Sequence, residues 1–345
     1  MKFNSLHYGK AMSAALFVLL LVVVGMKNAL AQNQMATLQH NDTITGVFYG
    51  QNAFVSAYNA AVAGDVITLS SGTFNQCDIS KSITIHGAGC VYDSETNVLP
   101  TIISGDFFFW CSNVRIEGVK FIGVITCTLN GPDLNNLSFD KCIINNINNN
   151  YNFHRNIMME FQFTNCIINS FLSHNFRGTS IINSVVKYMG YDNPDIHNPN
   201  NIYNSVIVFD DQLPINNLVA YNSIIATVSG HSVSNCTFFN CIGIETGETS
   251  LFEGQITSNV MEVDSYEDVF EIFSGEVTND NIYQLKEDIA NTFLGNDGTE
   301  VGIYGGMMPY NPRPTYMIMK RCNVAPRSTI DNKLSVEIEV LTNDE

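Results

Sequence analysis

Ile181-Ile182-Asn183-Ser184-Val185-Val186 returns as Ile202-Tyr203-Asn204-Ser205-Val206-Ile207 and again as Ala220-Tyr221-Asn222-Ser223-Ile224-Ile225. FDKCII at 139–144 and FTNCII at 163–168 superpose on the same frame without gaps, and VSNCTF at 233–238 extends it. Two places before the anchor the residue is always apolar; one place after it stands Cys or Ser; three places after it comes Ile, Val or Phe. The anchors are Lys141, Asn165, Asn183, Asn204, Asn222 and Asn235. Strand side chains alternate between faces, so the apolar and small columns turn toward a core.

Self-similarity at this period is the mark of a solenoid. The anchor intervals are 24, 18, 21, 18 and 13 residues; the last is too short for a coil, and Asn240 before Cys241-Ile242 restores 18. Coils of about twenty residues hold three short strands with their turns and leave no room for a helix in each repeat. Asn at the anchor has a physical reason, because it tolerates the left-handed backbone of a tight corner. Stacked about 4.8 Å apart, the amides of a structural ladder of Asn165, Asn183, Asn204 and Asn222 are expected to hydrogen-bond to one another. The fold class expected is all-β: a right-handed parallel β-helix solenoid with a short N-terminal capping helix and a C-terminal strand or hairpin. Longer intervals hold Asn-rich loops at 145–156 and 191–201.

Outward from the repeats, Val66 begins a series of short strands, and residues 66–306 are assigned to the β-helix. Phe54, Val55, Ala57, Tyr58, Ala61 and Val62 recur at helical spacing before Gly64-Asp65, which predicts a capping helix within 51–65 over the open end of the core. Residues 32–50 read as a polar lead-in. Lys2 and Lys10, the apolar run Ala14–Val24 and Ala29-Leu30-Ala31 read as a signal peptide, residues 1–31, cleaved after Ala31. The expected address is the periplasm, cell surface or medium, with no membrane span after cleavage. Residues 307–345 form a Pro-containing linker and a C-terminal β segment, a strand or hairpin in which Leu334–Val340 pairs with Thr315–Lys320.

The formal charge is −17 with only 14% charged residues, and cleavage would remove three lysines and no acids. A chain this acidic is not a nucleic-acid binder. Between Lys187 and Lys286 there is neither Lys nor Arg. Nine Cys, an odd number, lack metal-ligand spacing, and several fall where a small buried residue is wanted. No metal site or cofactor is expected; Ca2+ is considered only because the chain is acidic.

Ala60-Ala61-Val62-Ala63-Gly64-Asp65-Val66-Ile67-Thr68-Leu69-Ser70-Ser71-Gly72-Thr73-Phe74, followed by Lys81-Ser82-Ile83-Thr84-Ile85 with Gly87 and Gly89, resembles the N-terminal coils of bacterial secreted pectate-lyase-like right-handed β-helix proteins. Tyr283-Gln284-Leu285 with Asp297-Gly298-Thr299-Glu300-Val301-Gly302-Ile303-Tyr304-Gly305-Gly306 is similar to the closing segment of that group. The resemblance implies fold and export. That superfamily holds lyases, hydrolases, epimerases and proteins without known chemistry, so it implies no single activity.

Two functions are weighed. A non-catalytic glycan-binding, structural or adhesive solenoid, with polysaccharide or surface glycan as its partner, is preferred. The alternative is a polysaccharide-degrading enzyme acting in a groove along the helix. Uronate elimination needs a base, which only Arg115, Lys120, Lys141, Arg155, Arg177 or Lys187 could supply, and polyuronates suit an acidic chain badly. A polygalacturonase-like echo survives in Asp195, Asp210, Asp211 and His231, although Asp210-Asp211 reads more readily as a solvated turn and His231 as a surface residue. Trp110, Tyr203 and Tyr221 are candidates for stacking on sugar, the two tyrosines sharing one outward column.

Overall fold

In a computed structural model, the structure describes residues 34–94, 98–127, 133–148, 158–174, 176–192, 195–209, 214–227, 232–245, 250–274, 281 and 283–314, with the backbone of Ile318–Val324 and Val336–Leu341. The signal-peptide segment lies outside them. The chain is 51% strand and winds into a right-handed parallel β-solenoid of about nine turns.

Two strands of every central coil meet at the anchor. Ser180–Ile182, Asn200–Tyr203 and Leu218–Tyr221 stack in register on one side of it. Val185–Asp192, Val206–Phe209 and Ile224–Thr227 stack on the other. Between them Lys141 (φ 51°), Asn165 (52°), Asn183 (45°), Asn204 (47°), Asn222 (50°), Asn240 (52°) and Asn259 (51°) are all left-handed. Each corner N–H donates to the carbonyl just before the next corner, as from Asn183 to Tyr203 at 3.0 Å and from Asn204 to Tyr221 at 3.1 Å. Asn235 does not belong to this column. It lies in a second left-handed corner with Asn113, Asn136, Glu160, Gly178 and Asn217, where the third strand of the coil turns back, so Asn240 is the true successor of Asn222.

The expected amide-to-amide ladder is also corrected for the four named asparagines. Hydroxyls of the small column carry the bonding along the axis: Cys166 N–H donates to Ser184 Oγ (2.9 Å), Ser184 N–H to Ser205 Oγ (3.1 Å) and Ser205 N–H to Ser223 Oγ (3.2 Å). Each of these three hydroxyls in turn donates at 2.7 Å to the carbonyl two residues before it. The corner amides project outward and hold the closing segment. Asn240 Nδ2 donates to Leu294 O (3.0 Å), and Asn222 exchanges bonds of 3.0 Å with Asn296. Asn183 Nδ2 donates to Ile303 O (3.0 Å) and Gly305 O (2.8 Å), and Asn311 N–H donates to Asn165 Oδ1 (3.1 Å). At Gly306 (φ 80°) any Cβ would stand 2.0 Å from Asn204 Nδ2, so only glycine lets the chain pass there.

Residues 294–311 thus run back along the corner column, and the segments around them cover one outer face. Phe139, Phe163, Ile181, Ile202 and Ala220, with Ile144, Ile168, Val186, Ile207 and Ile225, fill the inner core. The intervening Ile143, Ile167, Val185, Val206 and Ile224 point outward and pack beneath Val269, Phe270, Tyr283, Leu285, Phe293, Val301 and Ile303. Val206–Phe209 and Ile224–Thr227 are consequently buried on both faces.

At the other end the capping helix is Ala53–Ala60. It buries Ala53, Phe54, Ala57 and Tyr58, with the Phe54 ring 6.3 Å from that of Phe107. Lys81 Nζ donates to the helix-end carbonyls of Tyr58 (2.8 Å) and Ala61 (2.9 Å), charge placed where the helix dipole favours it. Residues read as a lead-in form a hairpin, Met35–His40 with Thr43–Tyr49, whose first strand adds antiparallel to Val66–Leu69. At the C-terminus Ile318–Val324 pairs antiparallel with Val336–Leu341. The buried cysteines Cys142, Cys166, Cys236 and Cys241 are free thiols.

Asn183→Gly keeps the corner backbone and removes only the amide, leaving two strap carbonyls short of a donor. A loss of about 1–3 kcal/mol in urea unfolding is expected, and Asn183→Ala is expected to lose about 1 kcal/mol more from left-handed strain.

Candidate functional site

The uncovered outer face belongs to the strands preceding the anchors, and one of its columns changes character along the rod. In register it reads His86, Glu117, Asp140, Thr164, Ile182, Tyr203, Tyr221, Phe239. Its first part is ionisable and its last part aromatic.

Tyr203 and Tyr221 do share the outward column, and Phe239 extends it. Their rings lie 5.3 Å apart at 6°, and Tyr221 and Phe239 lie 5.0 Å apart at 20°. In-register stacking turns each ring face toward its neighbour, so edges and hydroxyls face outward while ring faces are occupied from within the column. A sugar ring therefore finds free faces only at the column's two ends. Trp110, 42% exposed, follows strand Phe107–Phe109, which stacks on Ile125–Cys127 in a different part of the coil.

Asp195 is ion-paired to Arg177 at 3.2 Å and accepts hydrogen bonds from Asn198 Nδ2 and His197 N–H, both at 3.0 Å. Those bonds, led by Asn198, hold its carboxyl below the usual range, which suits the turn at 195–198 and not a proton donor. Asp210, Asp211 and His231 lie outside the described residues.

At the ionisable end a cleft of about 450 Å³ opens between the solenoid and the strap. Asp140, Lys141, Thr164 and Asn165 line one side, Met308, Pro309, Tyr310 and Asn311 the other. Asp140 Oδ1 is buried and has no hydrogen-bond partner, while its Oδ2 lies 3.9 Å from Arg115. Burial, with Glu117 beside it, pushes the Asp140 carboxyl up against the opposing pull of Lys141 and Arg115. Glu117 itself is 2% exposed, within 3.3 Å of His86 Nδ1 and 3.8 Å of Arg115, and it does not line the cleft. Lys141 is 6% exposed. Its ammonium makes no hydrogen bond or ion pair with a described residue.

Asp140, Glu117 and His86 escaped notice in the sequence. The signal was the one break in the corner column, Lys141 where Asn stands in later coils. Among the described residues no group of three or more His, Cys, Asp or Glu could hold a metal ion, and no helix is long and apolar enough to cross a membrane.

No protein-family model matches this chain, and no curated protein matches it.

Because its folded carboxyl titrates above an unfolded aspartate, Asp140 binds a proton more readily in the folded state. Stability contributed there falls as pH rises through that window. Asp140→Asn is therefore expected to stabilise the protein at pH 7, with the gain vanishing as pH drops below the ordinary aspartate range, as read from urea midpoints across pH.

Proposed function

We propose that this chain is a non-catalytic, exported β-helix that binds neutral glycan along its uncovered outer face. One observation carries the reading. Across five successive strands the outward positions are Gln162, Thr164, Ser180, Ile182, Asn201, Tyr203, Val219, Tyr221, Thr237 and Phe239, and none bears a charge. Four rung intervals at about 4.8 Å make this an unbroken strip of about 19 Å offering hydroxyls, amides and aromatic edges.

Such a surface suits a polyol, whose hydroxyls both donate and accept and whose C–H faces rest on apolar edges. A polyuronate fits poorly, because the strip offers no cation and the whole chain carries −17. Catalysis is disfavoured by the arrangement of acids. Glycoside hydrolysis calls for two carboxylates on either side of the scissile bond, whereas among the described residues Glu117 is engaged beneath the surface and Asp140 is the one carboxylate lining the cleft.

The test is a glycan array and affinity electrophoresis with the purified protein, beside assays for reducing ends and unsaturated products. Binding to neutral polysaccharide without product is expected. Ser180→Arg and Val219→Arg, which plant bulk on the strip, are expected to abolish it, and Tyr203→Ala to weaken it about tenfold. Release of sugar would overturn the reading in favour of a polysaccharide hydrolase or lyase. Binding that ignores both arginines would place the glycan elsewhere.

A further inference from the structure

The open face is one continuous sheet with two free ends. Met35–His40 lies antiparallel to Val66–Leu69, and Thr43–Tyr49 lies antiparallel to Met35–His40. Thr43–Tyr49 therefore runs parallel to every coil strand of this sheet. At the far end residues 256–258 follow 237–239 in parallel register. Among the described residues neither terminal strand has a neighbour on its outer side. The two outward columns end at both limits of the sheet, one on Ile44 and Ile256, the other on Val47 and Ser258. Nothing covers these limits, since Ile44 is 63% and Ile256 66% exposed. Folded proteins ordinarily blunt such edges with Lys, Pro or a cover. Neither 43–49 nor 256–261 contains a charge or a Pro.

The backbone groups left free at each edge follow from the bonds beside them, because consecutive strand residues send their N–H and C=O to opposite sides. Gly50 N–H donates to Gln34 O, whereas Ser70 N–H donates to Met35 O. Gln34 and Ala36 thus face the outer strand. Phe48, opposite Ala36, is bonded inward, and Val47 directs its N–H and C=O outward. At the other end Ile256 N–H donates back to Cys236 O, so Thr257 and the corner residue Asn259 (φ 51°) are directed outward.

These two edges fit each other. The columns set Ser258 opposite Val47 of a second copy. Asn259 N–H then meets Val47 O, and Val47 N–H meets Thr257 O. That repeats the bonding by which Asn183 N–H reaches Tyr203 O and Asn204 N–H reaches Tyr221 O; a slip of one residue would lose both bonds. The N-terminal end is also level. Two added strands rise about 9.6 Å above the first coil, and the capping helix Ala53–Ala60 that packs beside them is about 10 Å across.

We propose that this chain assembles head to tail, residues 256–258 of one copy pairing in parallel with Thr43–Tyr49 of the next. Each copy gives one edge and takes another, so the contact is heterologous and continues as an open series instead of stopping at a pair. The open face runs on from copy to copy. This assembly does not rest on glycan binding and stands or falls apart from it.

Sedimentation velocity and negative-stain microscopy of the purified protein over a range of concentration test it, with Val47→Pro and Thr257→Pro as variants. Each removes an outward N–H at a sheet edge, where Pro is tolerated, and urea unfolding checks that both fold. The unaltered chain is expected to form rods that lengthen with concentration in steps of one molecule. Either variant alone is expected to be monomeric. Their equimolar mixture should form pairs and nothing longer, because one variant keeps only its last strand free and the other only its first. A monomeric unaltered chain at every concentration would overturn the proposal, as would a mixture that stays monomeric. Pairs formed by Thr257→Pro alone would mean that first strands join each other, and pairs formed by Val47→Pro alone that last coils do; either result overturns it.

Discussion

The left-handed corner between two strands is the constraint from which the rest of the molecule follows. It lets each coil turn within one residue, it passes a backbone hydrogen bond to the next coil, and it aims one side chain outward. Asn adopts this backbone at little cost and carries an amide with both a donor and an acceptor. The hydroxyls and thiols one residue further on complete the arrangement inside: they accept the next backbone N–H or donate to nearby carbonyls in a place too narrow for a larger group. Inner and outer ladders thus come from adjacent residues with different tasks.

The outward amides have a second consequence. Instead of joining one another, Asn165, Asn183 and Asn222 bind the returning segment, with Gly306 lying against Asn204. That segment buries the apolar outer face of the strands after the corner, where Ile, Val and Ala would otherwise be wet. Roughly 25 cal/mol per Å² of apolar surface makes covering that stripe a major favourable contribution. The strands before the corner remain open, and they carry hydroxyls, amides and aromatic edges. The solenoid is therefore divided into an apolar outer face covered by the returning segment and a second outer face left open.

Charge is distributed by the same logic. An acidic chain keeps its open strip neutral and gathers His86, Arg115, Glu117, Asp140 and Lys141 at one end. There Glu117 is satisfied by its neighbours, while Asp140 and Lys141 face a cleft whose far wall is the strap. The head of the strip is thus built from two parts of the chain that are 146 residues apart at the Asn165–Asn311 contact.

By itself the sequence determined the solenoid, its coil length, the inward columns, the capping helix and the shared column of Tyr203 and Tyr221, because alternation and repetition are local properties of a strand. It also showed the one irregular corner, Lys141. The short last interval already pointed from Asn235 to Asn240, but the sequence did not reveal where the corner amides bond or that Asp140 lies beside a buried Glu117. Those depend on how coils register and on a segment returning from more than a hundred residues away. Register between coils is set by the sum of core contacts and corner bonds, so only the tertiary structure decided which face was covered and which charges were gathered at one end of the open face.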